Sequence, residues 1–331
     1  MKVKMLIASD DMRYAMKLSE QISKKHSDTL EVTVCSNPAA LPEAISLYKA
    51  EVALVDRPFV KHLEDIEVAL PLILHSDATA DEAPIELMRI EKYGRVSTMV
   101  ADILETYSKI SKKAVAGTGK VTNITAVWSP AGGAGKTTVA LAAATALTQN
   151  GKSVFYLNLE TFSSIPAYFG EGRKGISSVF EMLESNEGDV KMLISGISAE
   201  ENGITYLGKP DNYDDINILS AENVEELILS LGGLTDELII DISLPCDERI
   251  KKIFELAGKV LLVTDKTGTA KAKLSQFIAQ NSTFESIREK TTIIANRGAA
   301  IDEPHTCSVT FLPFATALSE SQIYRELAHY F

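Results

Sequence analysis

Residues Ala126 to Leu147 read AVWSPAGGAGKTTVALAAATAL, and their chemistry is concentrated in one short turn. Gly132, Gly133 and Gly135 stand just before Lys136, Thr137 and Thr138. Residues without side chains let successive backbone N–H groups converge on an anion, and a helix opening at Lys136 adds the partial positive charge of its first turn. Lys136 can then contact the β- and γ-phosphates of a nucleotide, and the Thr137 hydroxyl can coordinate Mg²⁺. Gly132, Gly133, Ala134, Gly135, Lys136, Thr137 and Thr138 are therefore the expected cradle for ATP and Mg²⁺. Two positions depart from the strict G-x-x-x-x-G-K-S/T pattern: its first glycine is Pro130, and Ala131 follows. The plain alternative, a flexible strand-to-helix turn, sits poorly with the apolar run before the loop and the Ala-rich stretch behind it.

Such a turn works only if a strand delivers it and a helix receives it. From Ile124 onward the runs ITAVWS, VFYLNL, ELIIDIS, KVLLVTD, TTIIANR and VTFLPF are short, β-branched and apolar throughout, with helix-compatible segments between them. Strands buried on both faces read this way, which predicts a doubly wound α/β domain over residues 123–331. Residues 1–110 alternate similarly, with VKMLIAS, LEVTVC, VALVD and LPLILHS as strands and MRYAMKLSEQISKKH, LPEAISLYK and VSTMVADILETYSKI as helices, predicting a smaller parallel sheet. Residues 111–122, polar and Gly-containing, read as the linker between the two domains.

The whole chain, 331 residues with 45% hydrophobic and 24% charged, is long enough for two cores. Its net charge of −12 opposes general attraction to nucleic acid or anionic lipid. Cys35, Cys246 and Cys307 match no zinc or redox spacing and read as reduced thiols. The first residues meet charge too early for a signal-peptide core, and no apolar run is long enough to span a bilayer, so the expected location is cytoplasmic.

The loop resembles that of the MinD/ParA family of P-loop ATPases, whose signature is K-G-G-x-G-K-T-T. In that family the first lysine reaches across a dimer to the partner's nucleotide; AGGAGKTT places Ala131 there, and Lys136 keeps the ordinary P-loop role. An ammonium neutralising transferring phosphate charge contributes several kcal/mol to the transition state, and a methyl group does not, so the resemblance implies a homodimer with slow hydrolysis. Three further segments match in order. Asn158, Leu159 and Glu160 occupy the switch I position, where the family commonly has D-x-D; Glu160 can position a water, whereas Asn158 cannot act as a base. Asp241 ends its apolar strand as a Walker B aspartate does, to hold magnesium through water, the alternative being a helix cap. Asn296 and Arg297 close TTIIANRG, where the family's Asn reads the adenine edge, and Pro313 and Phe314 follow where the chain packs on the base. Lys136, Glu160 and Asp241 are the expected catalytic residues, and Thr137 and Asp241 the metal-binding ones.

The first half resembles a response-regulator receiver. It offers Asp10 and Asp11 after the first strand, Asp56 ending VALVD, Ser76 ending LPLILHS, and Lys92 in IEKYG, the inventory of a phosphoacceptor site. The spacings from Asp56 to Ser76 and from Ser76 to Lys92 are tight for full helical crossovers, so at least one helix is expected to be shortened or lost. The main expectation is an atypical receiver used for interaction, the alternative a phosphorelay output controlled at Asp56.

Receiver-like domain then MinD/ParA-like ATPase is similar to the TadZ/CpaE pilus-assembly group, which implies a spatial organiser acting with pilus-assembly or secretion proteins at a cell pole. A partitioning or positioning ATPase is the competing reading. The Lys-bearing stretches ERIKKIF and KTGTAKAKL read as solvated helix faces, since the acidic total weakens a DNA-binding reading. Cys246 reads as a buried small residue. The tail SESQIYRELAHYF lacks the basic face of a membrane helix and is expected to pack on its domain through Ile323, Tyr324, Leu327 and Phe331.

Overall fold

The structure is a computed structural model that describes the chain except residues 1, 28, 64–65, 67, 77–86, 112–121, 171–174, 280, 302–306 and 314–319. It divides into two compact units, residues 1–113 and 114–331.

The first unit contains β1 (Val3–Ala8), α1 (Met12–His26), β2 (Leu30–Cys35), α2 (Leu41–Tyr48), β3 (Val52–Val55), β4 (Leu70–His75), β5 (Met88–Glu91) and α3 (Val96–Ile110). The five strands are all parallel, in the order β2-β1-β3-β4-β5, the flavodoxin-like doubly wound order. Helix α1 starts where the Asp11 carboxylate accepts the Tyr14 N–H, and it ends on Lys24, Lys25 and His26, charges suited to a helix C-terminus. Its buried residues Ala15, Leu18 and Ile22 recur at helical spacing. Between β3 and β4 the described residues form a 3₁₀ turn, Arg57–His62, pinned by buried Phe59, where a full crossover would have an α-helix. Strand β5 has no apolar run: in MRIE only Ile90 is buried, as befits an edge, and the sequence reading has no strand there.

The second unit runs β6 (Asn123–Trp128), α4 (Lys136–Gln149), β7 (Val154–Leu159), α5 (Ile165–Tyr168), α6 (Ser177–Ser185), α7 (Val190–Ile197), β8 (Ala199–Glu201), β9 (Ile204–Tyr206), α8 (Ala221–Leu231), β10 (Glu237–Ile242), α9 (Glu248–Leu256), β11 (Lys259–Thr264), α10 (Gly268–Ala279), α11 (Asn281–Ile287), β12 (Thr291–Ala295), β13 (Ser308–Phe311) and α12 (Glu320–Leu327). Its sheet has the order β13-β12-β11-β6-β10-β7-β9-β8, parallel except for β8 against β9. Strands β7 and β10 are buried at every residue, Asn158, Glu237 and Asp241 included, as their mostly apolar runs suggest. The β8–β9 hairpin, absent from the sequence reading, turns on Asn202 and Gly203 with φ of 54° and 78°. Asn-Gly is the residue pair that favours such a turn.

Helix α4 is buried from Val139 to Ala144, which explains its alanines: a helix enclosed on several sides has little room for larger side chains. Tyr324 and Leu327 of α12 join the same core, with Ile323 and Phe331 packed at its edge, so the tail closes over its own domain as expected.

Candidate functional site

Strand register assembles the site. β10 lies between β6 and β7, pairing Asp241 with Val127 on one side and with Asn158 on the other. The loop after β6, the Asp241 carboxylate and the residues just past β7 therefore meet at the carboxyl ends of the strands, where open α/β sheets place ligands.

The loop is shaped by backbone geometry. Gly133 and Gly135 have φ of 75° and 90°, the left-handed region that disfavours side chains. A Cβ on Gly135 would also come within 2.3 Å of Asn296 Nδ2, whereas one on Gly132 or Gly133 would meet nothing within 4 Å. Gly135 is thus required by close packing beneath the loop, and the outer face at Gly132 and Gly133 is open for an approaching ligand. Ser129 Oγ accepts the Ala131 N–H at 3.0 Å, and the Ala131 methyl is turned inward, 4% exposed. Lys136 forms no hydrogen bond or ion pair with any described residue, which leaves its ammonium for an anion.

Asn296 and Arg297, just past β12, contact the loop itself. The Asn296 amide, expected on a base edge, is buried and donates to Ala134 O at 2.9 Å while its oxygen accepts the Arg297 N–H. Arg297 Nη1 donates to Gly133 O at 2.8 Å and lies 3.7 Å from Asp265 Oδ2. Both residues thus brace the loop through its carbonyls. Pro313 is exposed after β13, and Phe314 lies outside the described residues. Ala134 is buried and supplies the carbonyl that Asn296 holds, and Thr138 is half-buried in the first turn of α4.

The acidic side of the site is a connected network. Thr137 Oγ1 donates to Glu160 Oε1 at 3.3 Å, and Glu160 Oε2 accepts from Asn158 Nδ2 at 2.8 Å and from the Ser164 N–H at 3.0 Å. The Ser164 hydroxyl also donates to Glu160. Asn158 Nδ2 further donates to Tyr156 Oη at 3.2 Å, and Tyr156 donates to Asp241 Oδ2 at 2.8 Å. Tyr156 and Ser164 were not singled out from the sequence. Tyr156 lies two residues before Asn158 in a strand, hence on the same face, and that period was the available signal.

Asp241 is fully buried, and burial followed by the Glu160 charge raises its pKa to about 7, against the pull of the Thr137 and Tyr156 hydroxyls and the Lys136 ammonium. Burial, then Asp241, pushes the Tyr156 phenol far upward, keeping it a neutral donor. Asp241 Oδ1 has no hydrogen-bond partner among the described residues. A buried carboxylate oxygen left without a donor, next to a hydroxyl and a second carboxylate, is a hard-oxygen set suited to Mg²⁺, which takes few protein ligands and completes its shell with water and phosphate oxygens. The residues present fit that ion, and Thr137 and Asp241 would hold it. Among the described residues no group of three His, Cys, Asp or Glu suggests a fully protein-ligated metal.

The loop, Lys136 and Glu160 border an open cleft of roughly 810 Å³ completed by Ser243–Cys246 and by Lys273, Gln276 and Phe277. Cys246 is exposed in its wall, in contrast to the buried position expected.

In the first unit, Asp56 and Lys92 meet at 2.6 Å, with side chains 7% and 13% exposed. The Ser9 hydroxyl donates to the same Asp56 oxygen, and the Tyr14 hydroxyl donates to Lys92 O. Ser9 and Tyr14 were not anticipated, although Ser9 closes the first strand one residue before Asp10. Asp10 is exposed; Asp11 is exposed and caps α1; Ser76 is half-buried after β4. All five expected residues follow strands β1, β3, β4 or β5, at one end of the sheet.

Neither a protein-family model nor a curated protein sequence matches the chain. Solved structures do. A ParA family ATPase from Chlorobium tepidum aligns with TM-score 0.52 and 16% identity, covering 64% of this chain and 99% of its own. The second unit has the fold of a ParA family ATPase. The cell division ATPase MinD of Pyrococcus furiosus (TM-score 0.49, 14% identity, 63% and 98% covered) and a plasmid partition protein from Borrelia burgdorferi (TM-score 0.49, 16% identity, 63% and 97% covered) are also similar, below the level at which likeness carries weight. In this chain the glycine-rich loop lies between β6 and α4, and Lys136 and Thr137 open that helix.

Proposed function

We propose that the second unit binds ATP with Mg²⁺ and acts as a positioning or partitioning ATPase of the ParA/MinD kind, with slow hydrolysis. The observation that carries this reading is the orphan oxygen of buried Asp241 beside Thr137, behind a glycine loop whose Lys136 has no hydrogen-bond or ion-pair partner among the described residues. Bound Mg²⁺ would supply charge neutralisation at the phosphates. This chain's residues do the rest: Gly133 and Gly135 open the loop, Lys136 would meet the phosphates, Asn296 and Arg297 hold the loop's carbonyls, Thr137 and Asp241 would hold the ion, and Glu160 is placed to orient a water. Ala131 leaves the loop with one cation, which favours holding ATP over splitting it.

The Thr137–Glu160–Ser164 contacts tie nucleotide occupancy to the segment after β7, so ATP can bias which surface is shown to a partner. In the finer reading the nucleotide unit forms a homodimer, and the first unit, an atypical receiver, serves interaction. The whole then organises a Tad/Flp-type pilus secretion machinery at a cell pole. Support for this comes from the order of a 2-1-3-4-5 parallel sheet before a P-loop unit. The test is ATP binding and turnover by the full chain beside Lys136→Ala, with mass by light scattering. ATP binding that Lys136→Ala weakens by about a hundredfold or more, with turnover well below about 1 s⁻¹, is expected. A chain that binds no nucleotide refutes the reading.

A further inference from the structure

The cleft beside the loop has a wall that the loop motif does not supply. Lys273, Gln276 and Phe277 of α10 face Ser129–Gly133 and Lys136 across it. Their spacing, i, i+3 and i+4, puts them on one helix face. Phe277 anchors that face: it is 7% exposed, its ring centroid 4.9 Å from that of Trp128 at the end of β6. Lys273 is thereby held one turn before a fixed residue, at the rim of the cleft.

Charge makes this position informative. Lys273, like Lys136, forms no hydrogen bond or ion pair with any described residue, in a chain where 45 Asp and Glu outnumber 33 Lys and Arg. Among the described residues Glu160 is the one carboxylate lining the cleft, and it already accepts from Thr137, Asn158 and Ser164. Ala131, in the loop's wall of the cleft, carries a buried methyl and no charge. A magnesium-bound triphosphate keeps net negative charge, and a single ammonium from the loop leaves part of it unmatched. Two unpaired ammoniums in the wall of one cleft form a site for a polyanion.

We propose that Lys273 is a second phosphate-binding cation of this cleft, contributed by α10, that contacts the terminal phosphate of a nucleoside triphosphate and makes the site prefer triphosphate over diphosphate. This rests on the nucleotide reading above. The test is equilibrium binding of fluorescent ATP and ADP analogues, each with Mg²⁺, to the full chain and to Lys273→Ala, Lys273→Arg and Lys136→Ala. Lys273 is exposed, so its truncation should leave the melting curve unchanged. Lys273→Ala is expected to weaken ATP about tenfold and ADP less than about twofold, with Lys273→Arg retaining most of the preference. The salt dependence of ATP binding should fall in Lys273→Ala and persist in Lys273→Arg.

An unchanged ATP affinity in Lys273→Ala, while Lys136→Ala loses binding, overturns the role of Lys273 and leaves the nucleotide site standing. Equal losses for ATP and ADP overturn the terminal-phosphate contact. A parent chain that binds neither nucleotide removes both readings together.

Discussion

Asp241 shows how one buried residue couples site and stability. Its folded pKa of about 7 lies above the roughly 3.9 of an unfolded aspartate, so between those values the folded chain binds more protons. Stability from this group is fully present below about pH 4 and is lost as pH rises through about 7. Asp241→Asn should therefore make the ligand-free protein more stable at pH 8, by about 2 to 4 kcal/mol, with the gap closing towards pH 4, as denaturant melts across pH would show. Asp56 leads to the opposite expectation about reactivity. Its carboxylate is buried, paired with Lys92 and hydrogen-bonded by Ser9, so a small phosphodonor should leave it unmodified in intact-mass spectra. An adduct lost in Asp56→Asn would instead favour phosphorelay control.

Elements were legible where their burial was simple. The largely apolar strands β7, β10, β11 and β12 and the helices α1 and α3 could be read directly, because burial on two faces or on one helical stripe leaves a trace in the sequence. Some edge strands left no such trace. Edge strands β5 and β8 are short and mostly exposed, so neither apolar run nor alternation marks them. The β8–β9 hairpin did carry a local signal in Asn202-Gly203, and Gly203 tests it. With φ of 78° and only ordinary contacts for an added Cβ, Gly203→Ala should cost about 1 kcal/mol through backbone strain alone, without changing nucleotide binding. A much larger loss on a thermal melt would mean the hairpin is held by packing around the turn.

At the scale of the whole molecule, each unit has its own core: one around Leu6, Val55 and Phe59, the other around α4, β10 and α12. A fragment of residues 114–331 should fold alone and bind ATP within about threefold of the full chain, because every contact of the loop described above lies inside it. A fragment that is unfolded by circular dichroism would show that the first unit is needed for the second to fold. The sequence by itself determined the two α/β halves, the phosphate loop and its lysine, and the candidate carboxylates, because these depend on local spacing and on apolar periodicity. Only the tertiary structure decided that Asn296 and Arg297 brace the loop, that Tyr156 joins Asp241 to Asn158, and that Lys273 borders the cleft. Those relations follow from the register of parallel strands and from a helix face docked on Trp128. Contacts between residues far apart in the chain leave no periodic signature, and neither does the desolvation that raises the Asp241 pKa.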